Sequence, residues 1–477
     1  MPGGFFARSR AGDGIVYRMA GADFLQLDPS QSPRNGRTTW LADRLRTAVA
    51  DGTLAPGTRL PATRVLADEL SMARGTVVEA YRRLGEEGLL VTNRGGGTIV
   101  AEAVAGVRVR LEPPVSPSEA VDISSGMPDL TAFPRAAWLK AERSVLSSAT
   151  HRELGYTDPQ GAARLRAALA GWLGRSRGVS APPDRIIVTA GVAGALSLLA
   201  QVLRRHGVTR WAVEDPGADG NRRVLGYWLD DVVPTPVDEY GLDVSALAGT
   251  GERAVLVTPA HQFPTGVVLS PARRRELLAW AERTGGVVIE DDYDAEYRYD
   301  RAPVRAMQAE APDRIAHVSS LSKVLAPALR LGWLIAPPSL HADLVRLRWA
   351  TDLGSPALPQ LTLAQLIETG SLERHLRTLR RRHQARRDAA VAAIRRYLPG
   401  CAVEGVAAGL HLVVRLPARL DDTAIAARAM EAGIAVHPLS LHRFAPGPPG
   451  LVIGYGPHPA PRLDRAIATL GAIVSAA

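Results

Sequence analysis

Lys323 is the residue whose chemistry is most distinctive in this chain. Only two of the 57 Lys and Arg residues are lysines, Lys140 and Lys323, so every other cation of these two types is an arginine. A lysine amine differs from a guanidinium because burial or neighbouring cations can lower its pKa, and the neutral amine condenses with an aldehyde. Lys323 stands among small and apolar residues in SLSKVLAPALRLGW. It is therefore a candidate Schiff-base lysine, with a chance surface lysine as the alternative.

Pyridoxal phosphate (PLP) is an aldehyde cofactor whose needs match the residues around this lysine. It requires an amine, an anion near its pyridine nitrogen, a donor near its phenolate oxygen and several donors around its phosphate. Asp291 and Tyr293 follow an apolar strand in GGVVIEDDYDAEYRY, the usual position of ligand-binding groups in such sheets. We expect Asp291 to keep the ring nitrogen protonated and Tyr293 to reach the phenolate oxygen.

Two stretches are predicted to bind the phosphate. Beside Lys323, the hydroxyls of Ser320 and Ser322 can donate hydrogen bonds, and Arg330 adds a charge-assisted contact. The stretch IIVTAGVAGALSLLAQVL indicates a strand, a glycine turn and a helix. The first amides of such a helix point at an anion with the helix dipole behind them. These amides belong to Gly191, Val192 and Ala193.

Hydrophobic periodicity predicts the elements that position these residues. Between residues 122 and 477, β-branched runs such as RIIVTA, RWAVED, RAVLVTP, GVVIEDD and RIAHVSS alternate with helical segments. This alternation predicts an α/β domain with a mainly parallel sheet. The segment 103–121 is rich in prolines and small residues and is predicted to be a linker, while residues 1–35 form an N-terminal arm.

Residues 36–102 indicate a small DNA-binding domain. Three amphipathic helices are predicted in TTWLADRLRTAVADG, PATRVLADEL and RGTVVEAYRRLGEEG, and two strands follow in LLVTNRGGGTIV. The second and third helices fit a helix-turn-helix, in which Arg74, Gly75 and Thr76 would face the major groove. Arg94 of the hairpin would meet phosphate or the minor groove. On periodicity alone, a plain three-helix bundle remains the alternative.

The composition limits the class of partner. A formal net charge of +9 suits a polyanion such as nucleic acid. The single cysteine, Cys401, excludes an intramolecular disulfide and a Cys-rich zinc site, and no metal site is predicted. No uninterrupted apolar run approaches the roughly 20 residues that cross a bilayer. We expect a cytoplasmic protein without a membrane partner.

The stretch DGTLAPGTRLPATRVLADELSMARGTVVEAYRRLGEEGLLVTNRGGGTIV resembles the winged helix-turn-helix of the GntR family. Ala73 stands where that family usually has a capping serine, so one N-cap hydrogen bond is missing. Because positive and negative charges nearly balance in this module, paired half-sites bound by a dimer are expected. The resemblance implies that five residues lie at or near DNA, namely Arg59, Arg74, Thr76, Arg94 and Gly96.

The second module resembles the MocR subfamily of GntR regulators, which carries an aminotransferase-like domain of PLP fold type I. The resemblance rests on GMPDLTAFPRAAW, LGYTDPQGAARLRAALAGWL, VTPAHQFPTGVVLS, IEDDYDAEYRYD, SLSKVLAPALRLGW and AGLHLVVRLP. It implies a small C-terminal α+β subdomain and a head-to-tail homodimer. By this resemblance Lys323 forms the internal aldimine, Asp291 pairs with the pyridine, Tyr293 with the phenolate and Arg330 with the phosphate. Tyr156 would reach the phosphate from the second subunit.

Several positions depart from the aminotransferase pattern. Phe263 replaces the Asn of N-P-T-G, as is usual in MocR proteins. His261 and Gln262 are candidates for the missing polar contacts, with a solvated or structural role as the alternative for His261. Ala218 replaces a tyrosine that stacks on the ring, and loss of such stacking could cost on the order of 1 kcal/mol. Val452 stands where aminotransferases place the arginine that grips the substrate carboxylate. Arg443 is a candidate for that role, with a surface position as the alternative.

The leading hypothesis is a transcriptional regulator in vitamin B6 or amino-acid and amine metabolism. PLP, alone or with an amine effector, would bind Lys323 and change operator binding. Val452 and Phe263 argue against the second hypothesis, an aminotransferase with a DNA-binding appendage, so at most a residual half-reaction is expected. A third hypothesis, favoured by Ala218 and Ala193, is a regulator whose large domain has lost PLP and serves as a dimerisation scaffold.

Overall fold

The chain divides into two compact units, Met1–Ser116 and Pro117–Ala477. The computed structural model describes residues 32–33, 36–93, 97–101, 120–294, 296–299 and 304–477. Most of the predicted arm and linker, together with the DNA-binding candidates Arg94 and Gly96, lies outside the described residues. Among the helices of these described ranges, none is both long and apolar enough to cross a bilayer.

The first unit folds as three helices followed by a two-stranded hairpin. These elements are α1 (Arg37–Ala50), α2 (Thr63–Glu69), α3 (Arg74–Glu86), β1 (Leu90–Asn93) and β2 (Gly97–Val100). The two strands pair antiparallel. Buried apolar side chains from all three helices share one core, among them Leu41, Leu45, Leu66, Val77 and Leu84. The predicted order of three helices and a hairpin is confirmed.

The second unit contains a large sheet, a small sheet and the helices that pack on them. Its strands are β3 (Val121–Asp122), β4 (Ile186–Thr189), β5 (Arg210–Asp215), β6 (Asp231–Asp238), β7 (Gly241–Leu242), β8 (Ala254–Val257), β9 (Val287–Asp291), β10 (Ile315–Ser320), β11 (Gly332–Ile335), β12 (Ala402–Glu404), β13 (His411–Arg415), β14 (Ile434–Ala435), β15 (His437–Pro438) and β16 (Gly450–Gly454). Its α-helices are α4 (Arg135–Ser148), α5 (His151–Leu154), α6 (Ala163–Arg177), α7 (Gly191–Arg205), α8 (Asp219–Trp228), α9 (Val244–Thr250), α10 (Pro271–Thr284), α11 (Pro338–Asp352), α12 (Ala357–Glu368), α13 (Ser371–Tyr397), α14 (Asp422–Glu431) and α15 (Ala460–Ser475).

The large sheet has eight strands in the order β4, β11, β10, β9, β8, β5, β6 and β7. The strands from β10 to β6 in that order pair parallel, whereas β11 runs antiparallel to both of its neighbours. Strands β4, β8, β10 and β11 are buried along their whole length, which is typical of sheets covered on both faces. Because parallel strands end at the same edge, Asp291 and Ser320 lie at one side of the sheet.

The small sheet belongs to a C-terminal subdomain. Its order is β12, β13, β16 and β15, and all neighbours are antiparallel. Leu412 and Ile453 of this sheet share a core with Ile394 of α13 and Leu470 of α15. The predicted α/β architecture, with a mainly parallel sheet and a smaller α+β part, is confirmed.

A buried ion pair links α6 to the loop after β9. The Nε and Nη2 atoms of Arg177 donate to the two carboxylate oxygens of Asp292 at 2.7 and 2.8 Å. The two side chains are only 1% and 3% exposed. The Ser319 hydroxyl donates to the Asp292 carbonyl at 2.6 Å, which ties this loop to β10 as well. Since neither charge reaches water, each depends on the other.

Arg177→Met is expected to lower the free energy of unfolding by about 3 kcal/mol or more, because the Asp292 carboxylate is left buried without its partner. Arg204→Met is the matched control. Arg204 pairs with Asp230 at 2.6 Å, but these side chains are 46% and 52% exposed, and such a pair contributes under about 1 kcal/mol. Urea unfolding followed by tryptophan fluorescence measures both losses. Equal losses would contradict a special role for the buried pair.

Candidate functional site

A cavity of about 570 Å³ opens at the carboxyl edge of the large sheet. Its walls come from the loop after β10, from the starts of α7 and α8, and from the small subdomain. The structure brings together eight of the predicted cofactor residues in this wall. They are Lys323, Asp291, Tyr293, Arg330, Ser320, Ser322, Val192 and Ala193.

Lys323 lies three residues after the end of β10, and its side chain lines the cavity. Its Nζ donates a hydrogen bond to the carbonyl of Gly126. Burial lowers the pKa of Lys323, and the nearby carboxyl groups of Asp294 and Asp291 oppose this shift. A lowered pKa increases the neutral fraction of the amine, which is the form that attacks an aldehyde.

Asp291 is the last residue of β9 and is buried. Its Oδ2 accepts a hydrogen bond from Nδ2 of Asn221 at 2.9 Å. Its Oδ1 is buried and has no partner among the described residues. Burial raises the pKa of Asp291 to about 7, against the Asn221 hydrogen bond, which lowers it. A positively charged N–H donor at Oδ1 would satisfy this atom and return the group to its carboxylate form.

At the end of the cavity where phosphate is predicted to bind, Gly191 and Gly332 lie close together. Gly191 begins α7 with φ +77, and a Cβ on Gly332 would lie 2.7 Å from the Gly191 Cα, so a side chain does not fit there. Arg330 also has a positive φ of 50, and its guanidinium donates to the Ala190 carbonyl. The start of α7 and the exposed Arg330 side chain therefore face the same end of the cavity.

The Tyr293 hydroxyl lies next to the buried imidazole of His261, which in turn contacts the buried carboxyl group of Asp294. His261 Nδ1 lies 3.1 Å from the Tyr293 hydroxyl and 2.9 Å from Asp294 Oδ2. Burial, with the charges of Asp294 and Asp291, raises the pKa of Tyr293. The hydroxyl therefore stays protonated and remains a donor. His261 itself does not line the cavity but orients the residue that does.

The positions that depart from the aminotransferase pattern lie on the cavity wall or close to it. Ala218 and Phe263 line the cavity. Val452 is fully buried in β16 and packs with Val413, Leu439 and Phe263. Val452 therefore contributes an apolar side chain at this position and no cation.

The cavity lining lacks four predicted residues, namely Gly191, His261, Tyr156 and Arg443. Tyr156 is 92% exposed and does not line the cavity. Arg443 also lies outside the lining, and its Nη1 donates to the Pro448 carbonyl at 2.7 Å. The adjacent residue, His442, lines the cavity instead.

Sequence reasoning missed several cavity residues, among them Asn221, His437 and His442. Asn221 lies in α8, and His437 and His442 lie in the small subdomain. Neither histidine stands in a quoted family motif. Asn221 lies three residues after Ala218, the position where a ring-stacking residue was expected. This short separation is the signal that could have indicated Asn221 as a cavity residue.

The first unit places its predicted DNA-binding residues at two positions. Arg74, Gly75 and Thr76 begin α3, with Arg74 and Gly75 exposed. Ala73 is the N-cap of this helix, and no side chain caps it. Arg59 is exposed and forms an isolated β-bridge with Ile99 of the hairpin. The start of α3 is therefore exposed at Arg74 and Gly75 and has no side-chain cap.

Comparisons with known families match both units. Residues 118–469 match the family described as Aminotransferase class I and II. Residues 38–100 match the family described as Bacterial regulatory proteins, gntR family.

Solved structures of similar fold are aminotransferases. A kynurenine aminotransferase from Pyrococcus horikoshii superimposes with a TM-score of 0.69 at 24% identity, covering 76% of this chain and 92% of the enzyme. At this identity the similarity shows the fold alone.

Curated relatives match along most of their length. The HTH-type pyridoxine biosynthesis transcriptional regulator PdxR of Corynebacterium glutamicum is 35% identical, covering 92% of this chain and 96% of the relative. The probable rhizopine catabolism regulatory protein MocR of Rhizobium meliloti is 33% identical, with coverages of 87% and 89%. The chain therefore belongs to the MocR-type GntR transcriptional regulators, which join a helix-turn-helix domain to an aminotransferase class I and II domain.

Proposed function

We propose that this regulator captures PLP as an imine on Lys323 and couples that capture to operator binding. The observation that carries the proposal is the unpartnered Oδ1 of Asp291, buried beside the same cavity as the Lys323 amine. A buried acceptor without a donor costs free energy, and the protonated ring nitrogen of PLP would supply the donor. A domain that served only as a dimerisation scaffold has no physical need for this arrangement.

The residues of the wall fit PLP group by group. Lys323 would hold the aldehyde carbon, Asp291 the pyridine nitrogen and Tyr293 the phenolate oxygen. When bound, PLP supplies an aldehyde that condenses reversibly with amines. The phosphate would lie at the start of α7, where its donors would be the amides of Gly191, Val192 and Ala193, the hydroxyls of Ser320 and Ser322, and Arg330.

The apolar residues around Val452 favour a sensor over an efficient aminotransferase. Val452 packs with Phe263, Val413 and Leu439, and this cluster supplies no cation that could pair bidentately with a substrate carboxylate. Turnover depends on holding the substrate in one reactive orientation. We therefore propose that any aminotransferase half-reaction is residual.

The metabolic setting is proposed from one relative and from the cofactor. The Corynebacterium glutamicum relative is named for pyridoxine biosynthesis. A regulator that measures PLP directly suits control of vitamin B6 genes, because the end product itself shifts the equilibrium between two states. We propose vitamin B6 metabolism as the first pathway to test, ahead of amino-acid and amine pathways.

DNA binding is proposed to use α3 and the hairpin of two modules. Arg74, Gly75 and Thr76 would enter the major groove, with Arg59 beside the hairpin. Because one module carries little excess charge, a head-to-tail homodimer would bind two half-sites. Tyr156, exposed on its own chain, would then reach the phosphate bound by the partner.

Capture of PLP is expected on Lys323 alone. Full-length protein incubated with PLP and reduced with borohydride should carry one phosphopyridoxyl group, and peptide mass spectrometry should find it on Lys323. Lys323→Ala should carry none. Lys140→Ala removes the one other lysine of the chain, which is exposed on α4, and should be labelled like the wild type. An unlabelled wild type, or a label on Lys140, would contradict the proposal.

Arg74→Ala is expected to weaken operator binding by about 1–3 kcal/mol while PLP labelling is unchanged. The operator is obtained by selection from random DNA with the full-length protein, and affinity is measured by fluorescence anisotropy at several salt concentrations. Arg82→Ala is the control on the same helix, since Glu79 at 2.6 Å and Glu86 already neutralise Arg82. Equal losses in the two variants would argue against α3 as the recognition helix.

A further inference from the structure

Two histidines on the small-subdomain side of the cavity have ring nitrogens without partners. His442 is 3% exposed and lines the cavity, and neither Nδ1 nor Nε2 makes a hydrogen bond to the described residues. A backbone group of Gly217 faces this ring but does not form such a bond. His437 also lines the cavity, and its Nδ1 is buried and likewise unpartnered in the described part of the chain. Polar atoms in this condition cost free energy until a ligand or water satisfies them.

An unpartnered imidazole does not by itself mark a ligand site. His383 is fully buried, and both of its ring nitrogens also lack a partner among the described residues. Its ring packs against Tyr297, with centroids 4.9 Å apart, and does not line the cavity. What distinguishes His442 and His437 is that their rings face a space large enough for a small molecule.

The two rings form one surface. Their centroids are 5.7 Å apart, and the His442 ring contacts Phe263 edge-on at 5.0 Å. His437 of β15 is the direct cross-strand partner of Val452 of β16, and such partners lie on the same face of a sheet. The imidazoles therefore stand beside the apolar cluster of Val452, Leu439, Val413 and Phe263.

Charged groups on α8 surround these rings. Arg222 and Arg223 both pair with the carboxylate of Asp219, at 3.3 and 2.7 Å, and Arg223 lines the cavity. Burial, and then the neighbouring His437 and Arg222, lowers the pKa of His442 to about 4. Burial also lowers the pKa of His437, although Asp122 and Asp219 oppose it. Each ring is thus neutral near pH 7 and carries one N–H donor and one acceptor.

We propose that His442 and His437 form a subsite for the carboxylate of a small amino acid that shares the cavity with PLP. The imidazole N–H groups donate to the carboxylate, and the amine of the ligand is turned toward Lys323. Phe263 is the member of the apolar cluster that lines the cavity, and it contacts the carbon chain between the two ends. This inference rests on the proposed function and names the class of its second effector.

The test compares two probes that differ in one charged group, β-alanine and its amide, β-alaninamide. Both are titrated calorimetrically into full-length, PLP-loaded protein. The wild type is expected to bind β-alanine about tenfold more tightly, since a hydrogen bond to a charged group contributes more than one to a neutral group. In His442→Phe the ratio should fall severalfold, because the phenyl ring keeps the contact with Phe263 but donates nothing, and only His437 is left as a donor.

Two further variants test whether the change in His442→Phe is purely structural. His442→Gln restores an N–H donor and should recover part of the preference for β-alanine. His383→Phe removes a buried, unpartnered imidazole outside the cavity and should keep the wild-type ratio. A wild-type ratio near one, or a full ratio in His442→Phe, would overturn the subsite. Borohydride labelling of the same samples separates the two proposals: without a label on the wild type both fail, whereas a labelled protein with no preference for β-alanine removes only this one.

Discussion

The ion pair between Arg177 and Asp292 is the interaction on which the cavity wall depends. Asp292 directly follows β9, and the flanking residues Asp291 and Tyr293 are the polar groups that line the cavity. Burying an acidic segment at the edge of a sheet is costly unless its charges are paired. Arg177 supplies that pairing from the end of α6, and the Ser319 hydroxyl holds the same residue from β10. Two elements on either side of β9 thus fix the loop from which the site is built.

The pKa values of the adjacent carboxyl groups of Asp291 and Asp292 are shifted in opposite directions. Burial acts to raise the pKa of Asp292, but the charges of Arg177 and His317 and the hydrogen bonds from Arg177 together outweigh it and hold the pKa below its usual value. Asp291 accepts a hydrogen bond from Asn221 and forms no ion pair in the described part of the chain, and burial raises its pKa to about 7. Successive residues of a strand point to opposite faces, so Asp292 turns toward α6 while Asp291 meets Asn221 of α8. The Asp292 carboxylate stabilises the fold through its ion pair with Arg177. The Asp291 carboxyl group keeps one unpartnered oxygen, Oδ1, which can accept a hydrogen bond from a ligand.

The cavity joins two surfaces of different chemistry. The carboxyl edge of the large sheet contributes the amine, the acid and the phenol, together with the start of α7. The small subdomain contributes the apolar side chains of Leu410 and Leu441 and the neutral rings of His437 and His442. Because the two surfaces belong to different parts of one compact unit, a ligand that touched both would couple its binding to their relative arrangement.

The sequence by itself determined the fold class and the part of the site that lies at strand ends. Short apolar runs with polar residues directly after them predict parallel strands whose ends meet, and Lys323, Asp291 and Tyr293 follow that rule. The tertiary structure decided which side chains from elsewhere face the cavity. Asn221 and His442 are 70 and more than 100 residues from Asp291 in the chain, and no local pattern brings them there. Arg443 was the predicted effector residue, yet the neighbouring His442 lines the cavity, because the turn that ends at His442 sets which of two adjacent side chains points inward.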